Sequence, residues 1–210
     1  MRTAAVDFFA DVSCPWCYVG WESLKRAAEA RPELSLSVAW RNFLLNPEMP
    51  REGFDRREYF SKKFDPDRLA MIHDALMQAA EAAGVPLNLE SRARIPNTID
   101  AHRLIHWSAG QGRAEAAIDE LFAAYFVEGK DIGEAETLID VAAKIGLDSE
   151  LVRELLAGDA DRDMILKLHA SAVKLGVSGV PVAIINRRAM LMGAETPEKY
   201  GKALDLKADA

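Results

Sequence analysis

The chain has 210 residues, 50% hydrophobic and 28% charged, with a formal net charge of −7. That size fits one large domain or one domain with a sizeable insertion. The acidic balance excludes the basic footprint that non-specific nucleic-acid binding needs, and it disfavours anionic membrane surfaces. Near the N-terminus, Asp7 and Asp11 interrupt any apolar run of the ~7–15 residues a secretory signal requires. No segment approaches the ~20 apolar residues of a membrane span. The expected address is therefore the cytoplasm.

In chain order, Val6-Asp7-Phe8-Phe9 reads as a short strand. It leads into Asp11-Val12-Ser13-Cys14-Pro15-Trp16-Cys17-Tyr18, which holds the only two cysteines of the chain. Pro15 suits the first turn of a helix, where its missing N–H is not needed. The periodicity predicts a helix from Cys14 to about Ala30, with Trp21, Leu24 and Ala28 on one face. Leu34 to Trp40 alternates as a half-buried strand does. A loop with two prolines runs from Arg41 to about Pro50.

A helical region follows, from about 56 to 175. Asp65-Pro66 starts one helix, with Leu69, Ile72, Leu76, Ala79 and Ala83 at helical spacing before Gly84. Asn97-Thr98 can cap the next, which carries Ile99, Leu104, Ile105 and Trp107. Further helices are expected over Ala114–Val127, Glu134–Ile145, Ser149–Ala157 and Asp159–Leu175. The pattern then returns to strand at Pro181–Ile185. Asn186-Arg187-Arg188 reads as a hairpin turn, Ala189–Met192 as a second strand and core element, and Thr196-Pro197 as the start of a last helix.

Removing the helical middle leaves β-α-β followed by β-β-α, with Cys-x-x-Cys opening the first helix. This is the organisation of the thioredoxin fold. The expected class is α/β, a discontinuous thioredoxin-like domain over 1–55 and 176–210 with an all-helical insertion over 56–175. A thiol at a helix start faces unsatisfied backbone N–H groups and the positive end of the helix dipole, both of which stabilise a thiolate. Cys14 is the expected nucleophile, and Cys17, one turn in, the resolving thiol. Two other readings stay open. The cysteines could form half of a Cys2His2 zinc site with two of His73, His102, His106 and His169, or they could be inert and buried.

Four stretches together resemble the DsbA-like thiol–disulfide oxidoreductases, and within them the FrnE-like branch. They are Ser13-Cys14-Pro15-Trp16-Cys17-Tyr18-Val19-Gly20, Phe43-Leu44-Leu45-Asn46-Pro47, the stretch from Pro96 to Leu104, and Gly176-Val177-Ser178-Gly179-Val180-Pro181. The resemblance covers nearly the whole chain. It implies a redox-active Cys14/Cys17 pair, a cis Val180-Pro181 bond against the cysteines, and a substrate surface on Pro15, Trp16, Val180 and Pro181. His102 and Asn46 are candidates to line that surface; a hydrogen-bonded structural histidine and a turn asparagine are the plainer alternatives. Asp7 and Asp11 are candidates to tune the thiols or carry a proton.

The expected activity is disulfide exchange or isomerisation on protein or small-molecule thiols. No metal or nucleotide is expected, and glutathione or a thioredoxin-type protein would recycle the pair. The same superfamily includes 2-hydroxychromene-2-carboxylate isomerases and kappa-class glutathione transferases, which makes a glutathione-dependent isomerase or transferase the alternative. A redox- or zinc-switched chaperone or interaction module is a third reading. Secreted relatives carry a signal peptide, and its absence here favours reduction, isomerisation or sensing over oxidative folding.

Overall fold

A computed structural model describes residues 2–207. Strand β1 (Arg2–Ala10) leads to helix α1 (Pro15–Glu29) and strand β2 (Leu34–Asn42), which pairs with β1 in parallel. A two-residue strand β3 (Phe54–Asp55) precedes helices α2 (Arg56–Lys63) and α3 (Pro66–Ala83). Strand β4 (Arg94–Ile95) closes an antiparallel ladder with β3. Helices α4 (Ile99–Ala109), α5 (Ala114–Phe126), α6 (Ala135–Lys144), α7 (Ser149–Ala157) and α8 (Arg162–Lys174) follow. Strands β5 (Val182–Ile185) and β6 (Ala189–Met192) and helix α9 (Pro197–Leu204) end the described chain. The main sheet runs β2-β1-β5-β6, with β5 antiparallel to both neighbours.

The expected β-α-β and β-β-α halves form this one sheet, so the fold is the thioredoxin type with helices between its halves. β1 is central, and its inward residues Ala4, Val6 and Phe8 are almost wholly buried. Trp21 and Leu24 of α1 meet them from one side; the Phe8 and Trp21 rings pack edge to face at 5.6 Å. The same buried cluster continues without a break into Leu104, Leu121, Phe122 and Leu138 of the helical segment. Tyr18 stacks on Phe122 at 4.9 Å, and Trp21 donates from Nε1 to Asp119 Oδ1 at 2.6 Å. The cysteine helix is thus held by the sheet on one side and by α5 on the other.

Several ends follow the local chemistry. Asp65 accepts the Arg68 N–H at the start of α3, which ends on left-handed Gly84, and Thr196 accepts the Lys199 N–H at the start of α9. Asn186 and Arg187 have φ of 53° and 57°, the two left-handed positions of a tight hairpin turn.

Other ends differ from expectation. The helix expected from Asp159 begins at Arg162, because Asp161 is left-handed and buried Arg103 takes the Leu155, Gly158 and Ala160 carbonyls by hydrogen bond. Thr98 sits at the head of α4, but its hydroxyl donates to Asp11 instead of capping; Asn97 Oδ1 accepts the Ile99 N–H. Met190 and Met192 are 61% and 67% exposed, since they lie on the outer face of an edge strand, and so are not core.

Candidate active site

The cysteine loop springs from the end of β1. Asp11 shapes it by accepting the Ser13 N–H and the Ser13 hydroxyl on Oδ1, both at 2.9 Å. Its backbone carbonyl accepts the Cys14 N–H at 3.0 Å. Cys14 then takes the N-cap position with extended backbone, φ −88° and ψ 114°, and Pro15 opens α1. No side chain caps this helix, so the Cys14 sulfur stands where a capping oxygen usually does. Both cysteines are free thiols here. Cys14 is 5% exposed and Cys17 is fully buried. Burial first, then the hydrogen bond and the charge of neighbouring Cys14, push the Cys17 thiol well above its ordinary range.

The opposite wall is the segment before β5. Val182 pairs with Phe9, so the residues ahead of it fall level with the cysteine loop. The Val180-Pro181 bond is cis, as the resemblance implies. Cys14 Sγ lies 3.9 Å from the Val180 carbonyl oxygen, which accepts from it. Pro181 rests on α1 at Gly20, and its carbonyl accepts the Gly193 N–H at 2.8 Å.

Behind the loop is a buried polar cluster. Asp11 is 1% exposed, and its Oδ2 accepts the Leu45 N–H at 2.8 Å and the Thr98 hydroxyl at 3.2 Å. His102 Nε2 is 4.0 Å from Asp11 Oδ1, and His102 Nδ1 meets Asn42 Oδ1 at 3.2 Å and the Trp40 Nε1–H at 3.4 Å. Burial holds the His102 pKa below its ordinary value, against the pull of Asp11. His169 is lowered for the same reason, and its Nδ1 accepts the Leu44 N–H at 3.1 Å. The cluster joins the cysteine loop, the chain after β2 and the start of α4.

A cavity of about 300 Å³ opens beside Cys14. Ser13, Cys14, Pro15 and Trp16 form one side, Leu45, Asn46 and Val180 the next, and residues of α2 and α3 the far wall. Asn46 accepts the Tyr59 hydroxyl at 2.6 Å, and its carbonyl accepts the Met49 N–H in a turn through Pro47. It is both a cavity wall and a turn residue.

Five of the expected site residues thus come together at the cavity: Cys14, Pro15, Trp16, Asn46 and Val180. Pro181 does not line it and packs instead against Gly20 of α1. Cys17 lies one turn behind Cys14. His102 is fully buried behind the loop and does not line the cavity. Asp7 pairs with Arg41 on the surface at 2.7 Å. The far wall, including Tyr59, Phe60, Lys63, His73 and Arg92, is not read from the sequence as part of this site; His73 is named there only as a possible zinc ligand, and Leu69, Ile72 and Leu76 only as a helix face. Its one advance signal was the aromatic spacing Tyr59, Phe60 and Phe64, which carries no hint of a partner 45 residues upstream. Among the described residues, no three His, Cys, Asp or Glu side chains come together to hold a metal ion. No helix there is long and apolar enough to cross a membrane.

Comparison with known proteins places this geometry. A crystal structure of a probable DsbA oxidoreductase from Streptomyces coelicolor superposes with a TM-score of 0.84 at 29% identity, covering 96% of this chain and 88% of that one. The cytosolic disulfide reductase DsbM from Pseudomonas aeruginosa, solved alone and with GSH, gives 0.66 alone at 20% identity, covering 96% and 94%. An uncharacterized Bacillus subtilis protein, YwbO, is 24% identical over 203 residues, 96% of each chain. The sequence model of the DSBA-like thioredoxin domain matches residues 5–205, and the chain belongs to that family.

Proposed function

We propose that this chain is a dithiol–disulfide oxidoreductase of the FrnE-like branch in which Cys14 attacks and Cys17 resolves. The observation that carries this is the pairing of a cavity-facing thiol at a helix N-cap with a second, fully buried thiol one turn behind it. The Cys14 thiolate attacks one sulfur of a substrate disulfide and expels the other as a thiolate. Cys17 gives up its proton, attacks Cys14 and releases the second substrate thiol. Two electrons pass from the dithiol to the substrate, and a Cys14–Cys17 disulfide remains. The reverse sequence makes the chain a disulfide donor, and stopping at the mixed disulfide allows isomerisation. Neither metal nor nucleotide enters these steps.

Protein or small-molecule disulfides are the substrates, and glutathione or a thioredoxin-type protein restores the dithiol. A cytoplasmic setting fits reduction or isomerisation. Likeness to the cytosolic disulfide reductase DsbM, solved with GSH, supports that side of the reading.

The test is equilibration with glutathione redox buffers, followed by tryptophan fluorescence and thiol alkylation. A potential near about −270 mV is expected for a reductant, whereas one near about −120 mV would make the chain a donor. Cys14→Ser should abolish turnover, and Cys17→Ser should accumulate the mixed disulfide. A glutathione-dependent isomerisation is the second reading, favoured by the apolar cavity walls. Turnover of an aromatic substrate that needs glutathione and survives Cys17→Ser would establish it instead.

A further inference from the structure

The cavity beside Cys14 has a charge opposite to that of the chain. None of its lining residues is Asp or Glu, although the chain carries a net charge of −7. Two fixed cations, Arg92 and Lys63, face it. Arg92 is 6% exposed, and its guanidinium lies over the Tyr125 and Phe126 rings at 4.9 and 4.8 Å. Its Nε has no hydrogen-bond partner. The Tyr125 side chain is its polar neighbour, and the Glu90 carboxylate acts on it without forming a close ion pair among the described residues. Neighbouring Arg56 is equally buried but stands 3.7 Å from Glu90. Lys63 donates to the Tyr59 hydroxyl at 2.8 Å and has no acidic partner among the described residues.

A buried guanidinium without a close counter-anion is costly, and an incoming carboxylate supplies the missing partner in forked geometry. Burial first, then Arg56, holds His73 below its ordinary value against the pull of Glu90, so this wall offers the two fixed cations and a neutral ring. Ser13, Asn46 and Tyr59 add neutral polar groups, and most of the remaining lining is apolar, including Trp16, Phe60, Phe64, Leu69, Ile72 and Leu76. A volume of about 300 Å³ suits one small molecule rather than a peptide strand.

We infer that the cavity admits a small disulfide or thiol with an apolar, aromatic body and a carboxylate, the sulfur turned to Cys14 and the carboxylate to Arg92 and Lys63. This rests on the exchange reading above. Cys14 attacks the ligand disulfide, one ligand thiolate leaves, and Cys17 displaces the other. The ligand gains two electrons and the protein keeps a Cys14–Cys17 disulfide.

The test compares two aromatic disulfide probes of similar size on the reduced protein by stopped flow. One is dithiobis(nitrobenzoate), a dianion; the other is neutral dithiodipyridine. The reference is the ratio of their rates with the urea-unfolded chain. The folded wild type should favour the dianion over that reference by about tenfold or more, and Arg92→Met or Lys63→Met should remove about tenfold of the preference. Lys63 is exposed, so its variant stays informative should Arg92→Met fail to fold, and Arg92→Lys should retain part of the preference. A rate ratio equal to the reference in wild type, or unchanged in the variants, overturns the inference and leaves the exchange reading intact. Glutathione disulfide outrunning both probes would overturn the aromatic part. If mass spectrometry finds neither probe on Cys14 of folded Cys17→Ser, and no Cys14–Cys17 disulfide in the wild type after the probes react, the exchange reading itself fails.

Discussion

Gly20 lies directly against Pro181: a β-carbon on Gly20 would stand 3.2 Å from the proline Cγ and 3.2 Å from the Tyr200 hydroxyl. Glycine inside a helix normally costs about 1 kcal/mol relative to alanine. Here the neighbours are a proline ring and a fully buried tyrosine, neither free to retreat. Gly20→Ala is therefore expected to destabilise by about 1 kcal/mol net, overpacking outweighing helix propensity. It should also slow exchange by displacing Val180 from Cys14. Urea melts and the exchange rate measured on one preparation check both effects.

Asp11 accepts four hydrogen bonds, from the Ser13 N–H and hydroxyl, the Leu45 N–H and the Thr98 hydroxyl. Asp11→Ala should cost about 2–4 kcal/mol, because buried donors lose a charged acceptor. Asp11→Asn should recover little of it. Whichever way the amide turns, its NH2 faces donors. A denaturation midpoint for Asp11→Asn close to wild type would refute this account.

Cys17 is pushed up by burial first and by Cys14 second. In Cys14→Ser the burial remains, so alkylation of Cys17 should show a midpoint above the ordinary thiol value of about 8.5. The sign for stability follows. The folded state holds the Cys17 proton more tightly than the unfolded chain does. The reduced protein should therefore lose stability as pH rises above about 8.5, and Cys17→Ala should flatten that slope. Mass-spectrometric alkylation profiles and thermal melts across the alkaline range measure the two effects.

His102 and His169 are both held down by burial. Their folded values lie below the unfolded value of about 6.5, so the unfolded chain binds protons more readily there. Stability from these groups is complete above about pH 6.5 and falls as the pH drops through their folded values. Replacing the ring by the shorter amide in His102→Asn should lower the melting temperature near neutrality, yet shrink its fall between about pH 8 and about pH 5. An equal fall in both proteins would exclude His102 as a contributor.

Much of this was legible in the chain because it rests on local chemistry. The caps at Asp65 and Thr196, the stop at Gly84 and the turn at Asn186-Arg187 all lie within a few residues of the effects they cause. The cysteine pair declared itself by type and spacing, and Pro181 by family resemblance. What stayed hidden depends on distant neighbours. A two-residue ladder between Phe54-Asp55 and Arg94-Ile95 has no periodicity to detect. Thr98 reads as a helix cap until Asp11 is placed beside it. His102 shares its helix with exposed His106, and only the packing of Trp40 and Asn42 shows that it is sealed from the cavity. Met190 and Met192 read as core because period-2 patterning cannot tell an inner strand from an edge.

One oxygen of Asp11 holds the chain at Leu45 and again at Thr98. Everything between, including α2, α3 and the far wall of the cavity, leaves and returns at a single point beside the cysteine loop. Such an excursion is a cassette. Ala80 and Ala83 of α3 share the buried core of the cysteine helix, so what can be rewritten is the cavity face, while both ends stay knotted. Relatives that share this cysteine loop could thus differ in diet without differing in teeth.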